Sequence, residues 1–324
     1  MTDSGAPVPS EPGRPPAIAE ALASTLAARA QGTVSCILMY GSHLLGARPD
    51  RNSALDFVVV VRDYRSFYQA LHDAGEVHRP VWLMAALSRV LSPNVIAFTP
   101  EDGAQGLAKC LVVSRDDMGA ALGPAPRDHF LLGRMVQRVA LVWAEAPDDA
   151  AWIEGLLAAA RGGVLAWVGP YLTGPFDAES LGRRLLEVCY RGELRPEAKD
   201  RSATIFDSQR DHFRDKLTPV LEGGVAAGTL SRDAKGYRFA TPPTAAQRRR
   251  WSWHFTRSKV RATLRWGKHI LTFDNWLPYV QRKAERRLGV TIELTRLERR
   301  WPLIFLWPRV FRVLFFRPDR EGEP

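Results

Sequence analysis

Two apolar runs of strand length, Val34–Tyr40 (VSCILMY) and Leu55–Val61 (LDFVVVV), flank a polar, glycine-containing stretch from Gly41 to Ala54. Short runs rich in β-branched residues and bounded by turn formers predict two strands, with a loop long enough for the chain to double back. Whatever surrounds this pair must cover a hydrophobic sheet. The carboxylate inside it, Asp56, precedes the run Phe57-Val58-Val59-Val60-Val61. A charge on such a strand is costly unless it is paired or bound to a metal.

The flanking pattern fills out the unit. An Ala-rich helix is predicted over 17–30, closed by Gly32, with helices near 66–74 and 81–91, the second starting after Pro80. Strand-like runs recur at Asn94–Phe98 and Leu107–Ser114. From about 126 to 190, Ala, Leu and Trp recur at helical spacing; 223–244 reads as a Gly- and Pro-containing connector, and 255–272 and 275–288 as basic helices. The expected fold is α+β: a small mixed sheet with flanking helices, plus a helical region and a basic amphipathic C-terminal tail. The expected organisation is a disordered Pro/Gly/Ser-rich lead (1–16), a sheet-containing domain (17–125), a helical domain (126–244) and a basic aromatic region (245–324).

Composition narrows the class. With 46% apolar and 25% charged residues the chain is neither disordered nor fibrous as a whole. Cys36, Cys110 and Cys189 lie far apart with no C-x-x-C pair, which argues against a disulfide framework and a cysteine zinc site, and for a reducing compartment. The histidines at 72, 78, 129, 212, 254 and 269 show no ligand spacing, so no zinc is expected. No run of 18 uncharged apolar residues occurs, so no transmembrane helix is expected. The first residues lack a secretory signal pattern, and Asp3 and Glu11 argue against a mitochondrial presequence.

The net charge of +10 is unevenly placed. Residues 1–244 carry 26 Lys+Arg against 28 Asp+Glu, whereas 245–324 carry 19 against 7, with six of the ten tryptophans. Such a tail attracts a polyanion, either nucleic acid or an anionic lipid surface.

The candidate chemistry lies at Met39-Tyr40-Gly41-Ser42 and Leu55-Asp56-Phe57-Val58. A Gly-Ser turn after a strand lets backbone N–H groups and a hydroxyl approach phosphate oxygens, and an acid on the adjacent strand can hold Mg²⁺ against them. The bland alternative is a hairpin turn in which Asp56 caps or pairs locally. Asp63 lies roughly 23 Å further along an extended strand and is read as the N-cap of a helix over 64–74. Lys109, on an otherwise apolar strand, is either a phosphate-neutralising cation or a solvated strand-edge lysine. Arg191 and Arg195 either contact phosphate or pair with Glu187 or Glu193. His43 is read as a surface histidine.

The Gly-Ser turn and Asp56 resemble the polymerase-beta-type nucleotidyltransferase superfamily, although Val58 stands where a second carboxylate is usual. Over 34–288 the chain more closely resembles the mitochondrial-type phosphatidate cytidylyltransferases, the translocator assembly and maintenance family. The resemblance rests on Tyr40-Gly41-Ser42, Asp56-Phe57-Val58 without a second Asp, Lys109 in Ala108-Lys109-Cys110-Leu111-Val112-Val113, and Leu132-Gly133-Arg134. It continues through Tyr190-Arg191-Gly192-Glu193-Leu194-Arg195 and the Lys-rich segment from Lys259 to Lys283. The departures are His43, Glu193 and Thr99, where the family usually has Gly, Asp and Asn. The resemblance implies attack of phosphatidate on the α-phosphorus of CTP, giving CDP-diacylglycerol and pyrophosphate. Tyr40, Gly41, Ser42 and Arg195 would bind nucleotide, Asp56 would ligate Mg²⁺, and Asp56 with Lys109 would serve catalysis. A second metal-binding carboxylate is left among Glu101, Asp102, Asp116 and Asp117.

Residues 299–317 (RRWPLIFLWPRVFRVLFFR) are too interrupted by Pro302, Pro308, Arg309 and Arg312 to span a bilayer. They suit a segment lying in the interface, with aromatics at the headgroup boundary and Arg meeting anionic lipid; a terminal helix docked on the protein's own core is the alternative. The expected partners are CTP, phosphatidate and an anionic membrane surface, without nucleic acid. The expected location is the cytoplasmic face of a bacterial inner membrane, or the matrix side of the mitochondrial inner membrane in a eukaryote. Two competing readings are a nucleotidyltransferase acting on a soluble acceptor and a non-catalytic membrane adaptor.

Overall fold

A computed structural model describes residues 13–45, 54–100, 106–191 and 201–272. The chain divides into two units, Met1–Thr272 and Phe273–Pro324, and every described residue belongs to the first. The expected features at 1–12, Glu101, Asp102, Glu193, Arg195, 275–288 and 299–317 lie outside the described residues.

The chain opens with α1 (Ala17–Arg29), β1 (Val34–Tyr40), β2 (Leu55–Val61), α2 (Tyr64–Asp73), α3 (Val81–Val90), β3 (Asn94–Phe98) and β4 (Ala108–Ser114). It continues through α4 (Arg115–Leu122), α5 (Leu132–Met135), β5 (Ala140–Ala144), α6 (Pro147–Gly162), α7 (Val164–Val168), α8 (Ala178–Arg191) and α9 (Arg201–Ser208). Then come α10 (Arg210–Ala226), the hairpin β6 (Leu230–Asp233) and β7 (Gly236–Phe239), and α11 (Ala245–Thr272). The architecture is α+β, a five-stranded mixed sheet in the order β3-β4-β2-β1-β5 with helices packed on it. Only β2 and β4 run parallel; the other three neighbouring pairs in this sheet are antiparallel.

Alternation along the strands makes the core. Met39, Phe57, Val59, Ile96, Cys110 and Val112 point to one face and are buried beneath α1, α2 and α3. Each such side chain contributes about 1.5–3 kcal/mol when fully withdrawn from water. The opposite face is covered by α4 and α6. Asp63 caps α2, its Oδ2 accepting from the Ser66 N–H at 2.9 Å, as its place before the helix predicts. Asp149, buried in the first turn of α6, pairs with Arg62 at 2.9 Å and with Arg115, tying that helix to the ends of β2 and β4.

Three expectations need correction. Ala140–Ala144, inside the stretch read as helical, is a strand that adds to β1. The supposed connector at 223–244 contains the end of α10 and the β6–β7 hairpin. The basic helix begins at Ala245, well ahead of 255, and reaches Thr272. By length and composition, Pro147–Tyr171 could also cross a bilayer. It carries the ion-paired Asp149 and packs Ile153, Leu157, Ala160 and Val164 inside the protein, so it is read as a core helix.

α11 docks through one helical face. The Ser258 hydroxyl accepts from the His129 N–H at 2.9 Å, and Arg261 and Arg265 both reach Asp128 at 2.8 Å. Arg265, almost wholly buried, also donates to the Ser92 carbonyl. Lys268 donates to the carbonyls of Leu87, Leu91 and Pro93 at the end of α3. Burial alone would raise the Asp128 carboxyl, but Arg265 and Arg261 outweigh it and hold it below the usual carboxylate range. The other side of α11 presents Trp253, Val260 and Leu264, which are 71%, 56% and 61% exposed.

Candidate active site

The register of the sheet assembles the site. Tyr40 at the end of β1 lies opposite Asp56 on β2, and Asp56 lies opposite Lys109 on β4. Paired residues on neighbouring strands share a face, so all three stand in one row on the same side of the sheet. They are half-buried, whereas their neighbours Met39, Leu55, Phe57, Ala108 and Cys110 are buried. The row is therefore only partly covered, and the alternation that fills the core is what turns it away from that core. Neighbouring strands are about 4.8 Å apart, which places a carboxylate and an ammonium on adjacent strands at one level.

Gly41 follows directly, with φ at +89°, and the turn Ser42–Leu44 closes with Leu44 N–H donating to the Gly41 carbonyl at 3.0 Å. A Cβ on Gly41 would lie 2.9 Å from Oδ2 of Asp56. Only glycine combines this left-handed backbone with so close an approach. The structure thus brings Tyr40, Gly41, Ser42, Asp56 and Lys109 to one end of the sheet. Beneath the row, burial and then the charge of Asp56 hold the Cys110 thiol far above its ordinary value, which marks it as an inert core group.

The candidates for a second carboxylate separate. Asp116 and Asp117 follow Ser114, which about 17 Å of strand separates from Lys109, so they stand at the far end of the sheet. There Asp117 accepts from the Tyr64 hydroxyl at 2.6 Å. Among the described residues, no group of three or more His, Cys, Asp or Glu could hold a metal ion. A closed cage is thus absent from those residues. Mg²⁺ that takes most of its ligands from phosphates and water needs only one or two carboxylates, and Asp56 beside the Gly-Ser turn fits such an ion.

No family model matches the chain, and no curated protein matches it. Among solved structures, it is similar to a crystal structure of a nucleotidyltransferase-like protein from Exiguobacterium sibiricum 255-15. The identity is 9%, the alignment covers 82% of this chain and 80% of that one, and the TM-score is 0.27. A likeness this weak fixes neither fold nor activity.

Other residues named from the sequence take structural roles. Arg134 donates to the Phe130 carbonyl at 2.6 Å and lies over the Phe130 ring. A Cβ on Gly133 would stand 3.0 Å from the buried His129 ring, whose Nε2 is 3.0 Å from Cys189 Sγ. Glu187 pairs with Arg184 at 2.6 Å.

One residue that sequence reasoning missed stands beside the turn. Arg138 precedes β5, whose first residue, Ala140, pairs with Met39. Its Nη1 would lie 3.1 Å from a Cβ on Gly13, whose N–H donates to the Leu44 carbonyl at 3.1 Å. In the strand order, this end of the sheet therefore has Lys109 on β4 to one side and Arg138, just before β5, to the other. Nothing local in the sequence marks Arg138; only the pairing of β5 with β1 brings it there.

Proposed function

We propose that this protein is a Mg²⁺-dependent CTP:phosphatidate cytidylyltransferase that makes CDP-diacylglycerol and pyrophosphate at a membrane surface. The observation that carries this reading is the contact of Gly41 with Asp56, with Lys109 in register on the next strand. The motif resemblance through Tyr40-Gly41-Ser42 and Asp56-Phe57-Val58 supplies the substrate class.

The chemistry asks little of acid–base groups. A phosphate monoester is already an anion at neutral pH, so its oxygen attacks the α-phosphorus without a strong base, and pyrophosphate leaves. Gly41 and Ser42 let backbone and hydroxyl groups reach the phosphates of CTP. Lys109 neutralises charge that grows on the leaving group. Tyr40, half-buried at the end of β1, would bear on the nucleotide. Arg195 retains its assigned contact with nucleotide phosphate on the resemblance alone. Asp56 would hold Mg²⁺, which when bound neutralises and orients the triphosphate. The exposed stripe Trp253-Val260-Leu264, on a helix that carries Arg249, Arg250, Arg257 and Lys259, supports contact with an anionic bilayer.

The test is an assay of labelled CTP with phosphatidate liposomes and Mg²⁺, run beside Asp56→Ala. Lipid-soluble CDP product from the wild type, lost in the variant, is the expected result. Binding of CTP without conversion of phosphatidate would move the acceptor to a soluble molecule. A folded protein that neither binds CTP nor forms product would overturn the enzymatic reading and leave a membrane adaptor.

A further inference from the structure

A group of cations gathers behind Arg138 with no carboxylate among the described residues to balance it. His212 on α10 hydrogen-bonds the backbone of Gln137, and Arg161, Arg138 and Lys216 all act on its ring as positive charges. The buried Gln209 fixes this corner: its Oε1 accepts from the Arg138 N–H at 3.0 Å, and its Nε2 donates to Gln137 Oε1 at 3.2 Å. Within the cluster, the Nε of Arg161 and the Nε2 of His212 are buried without a hydrogen-bond partner. Several acids of the neighbouring helices are engaged elsewhere. Glu179 pairs with Arg210 and Arg214, Asp207 with Arg183 and Arg210, and Asp211 with Arg214, on which Asp215 also acts.

Three permanent cations around one imidazole repel one another, and the unpartnered buried Nε–H of Arg161 adds to that cost. Burial, followed by these three charges, holds the His212 ring down at about 4, so it is neutral at physiological pH. A bound oxyanion would offset both costs, because guanidinium and ammonium groups donate strong charge-assisted hydrogen bonds to phosphate oxygens. Its place is set by Arg138, which Gly13 and Leu44 connect to the turn after Gly41.

We propose that Arg138, Arg161, His212 and Lys216 form an oxyanion subsite, continuous with the Gly41–Ser42 turn and on the opposite flank from Lys109, which takes a phosphate-type group. Its assignment to a group that enters or leaves the transfer reaction rests on the function proposed above; the anion site itself rests on the cation cluster alone. The same chemistry serves an acceptor phosphate monoester or the leaving pyrophosphate.

The experiment is NMR titration of the histidine-labelled full chain, without metal or CTP, using glycerol 3-phosphate in one arm and pyrophosphate in the other. At least one probe should raise the His212 titration midpoint by about one pH unit or more. Response to glycerol 3-phosphate alone assigns the acceptor side, and response to pyrophosphate alone assigns the leaving-group side. Response to both assigns an oxyanion site open to either group. Arg161→Met and Arg138→Met should each weaken the effective probe about tenfold or more. Lys216→Met, on the exposed surface of α10, gives a smaller loss and keeps the test available if a buried variant does not fold. No response of His212 in the wild type to either probe, or unchanged affinity in folded variants, overturns the subsite. Asp56→Ala should leave this metal-free binding intact. A responsive His212 in a chain that makes no CDP product therefore overturns the reaction alone, whereas product formation with an unresponsive His212 overturns the subsite alone.

Discussion

The backbone of Gly41 and the carboxylate of Asp56 occupy the same few ångströms: a Cβ on the glycine would lie 2.9 Å from Oδ2 of the aspartate. The contact joins the end of β1 to the start of β2, whose register places Tyr40 opposite Asp56. A phosphate held by the turn and an ion held by the carboxylate would therefore meet at one point.

Gly41→Ala should fail for two reasons at once. The left-handed backbone costs a non-glycine residue about 1–2 kcal/mol, and the methyl group must displace Asp56. Urea denaturation should show a loss of about 1–3 kcal/mol, and Mg²⁺-dependent CTP binding should disappear by calorimetry. A variant that binds CTP as the wild type does would remove this contact from the nucleotide site.

Lys109 is half-buried and paired in register with Asp56, so a methionine there keeps the packing of the stem and removes the charge. Lys109→Met should lower kcat about 100-fold, in line with the loss of one group that stabilises transition-state charge. Its melting temperature should stay near that of the wild type. Lys109→Arg should recover part of the rate. Equal kcat in the methionine variant would remove Lys109 from the catalytic machinery.

Much of this arrangement was legible in the sequence, for identifiable reasons. β1, β2 and β3 are short β-branched or aliphatic runs bounded by turn formers, and each appears with the limits read from the sequence. Asp63 stands before a polar-apolar helical pattern and caps it. β5 carries no such mark. All five of its residues are half-buried, so it lacks an alternating face, and Ala140, Leu141 and Trp143 suit a helix as well as a strand. Pairing with β1 decides its state, and that long-range term also places Arg138 near the end of β1. The β6–β7 hairpin is exposed and polar along Ser231-Arg232-Asp233, which hides it within a connector-like composition. Arg261, Arg265 and Lys268 read as part of a basic helix, yet they face inward and dock it onto Asp128 and the end of α3.

The inward charge of Lys268 predicts a pH dependence with a definite sign. Burial, then Arg265 and Arg261, lower its ammonium to about 7 from an ordinary 10.5, although the three carbonyls around it and Asp117 pull the other way. Between those values the unfolded chain binds more protons than the folded one, so stability rises with pH. Below about 7 both states carry the charge and the full burial cost applies. Denaturation midpoints from pH 7 to 10 should climb for the wild type relative to Lys268→Met, by on the order of 3 kcal/mol over the range. Parallel curves for the two proteins would show that Lys268 keeps its ordinary proton affinity when folded.

The exposed side of α11 offers the remaining test. Its docked residues Ser258, Arg261, Arg265, Lys268 and Thr272 recur every three or four positions, which leaves Trp253, Val260 and Leu264 on the surface. Three large apolar side chains facing water on a basic helix suit a bilayer boundary, where the rings and branched chains enter the headgroup layer and the arginines meet lipid phosphates. Replacing all three with serine should leave the thermal stability unchanged, because none of them packs against the core. Co-sedimentation with vesicles containing anionic lipid should fall several-fold. High salt should release the serine variant more readily than the wild type, since only the electrostatic attraction is then left to this helix. Unchanged vesicle binding in the folded variant would show that this face of α11 does not meet the membrane.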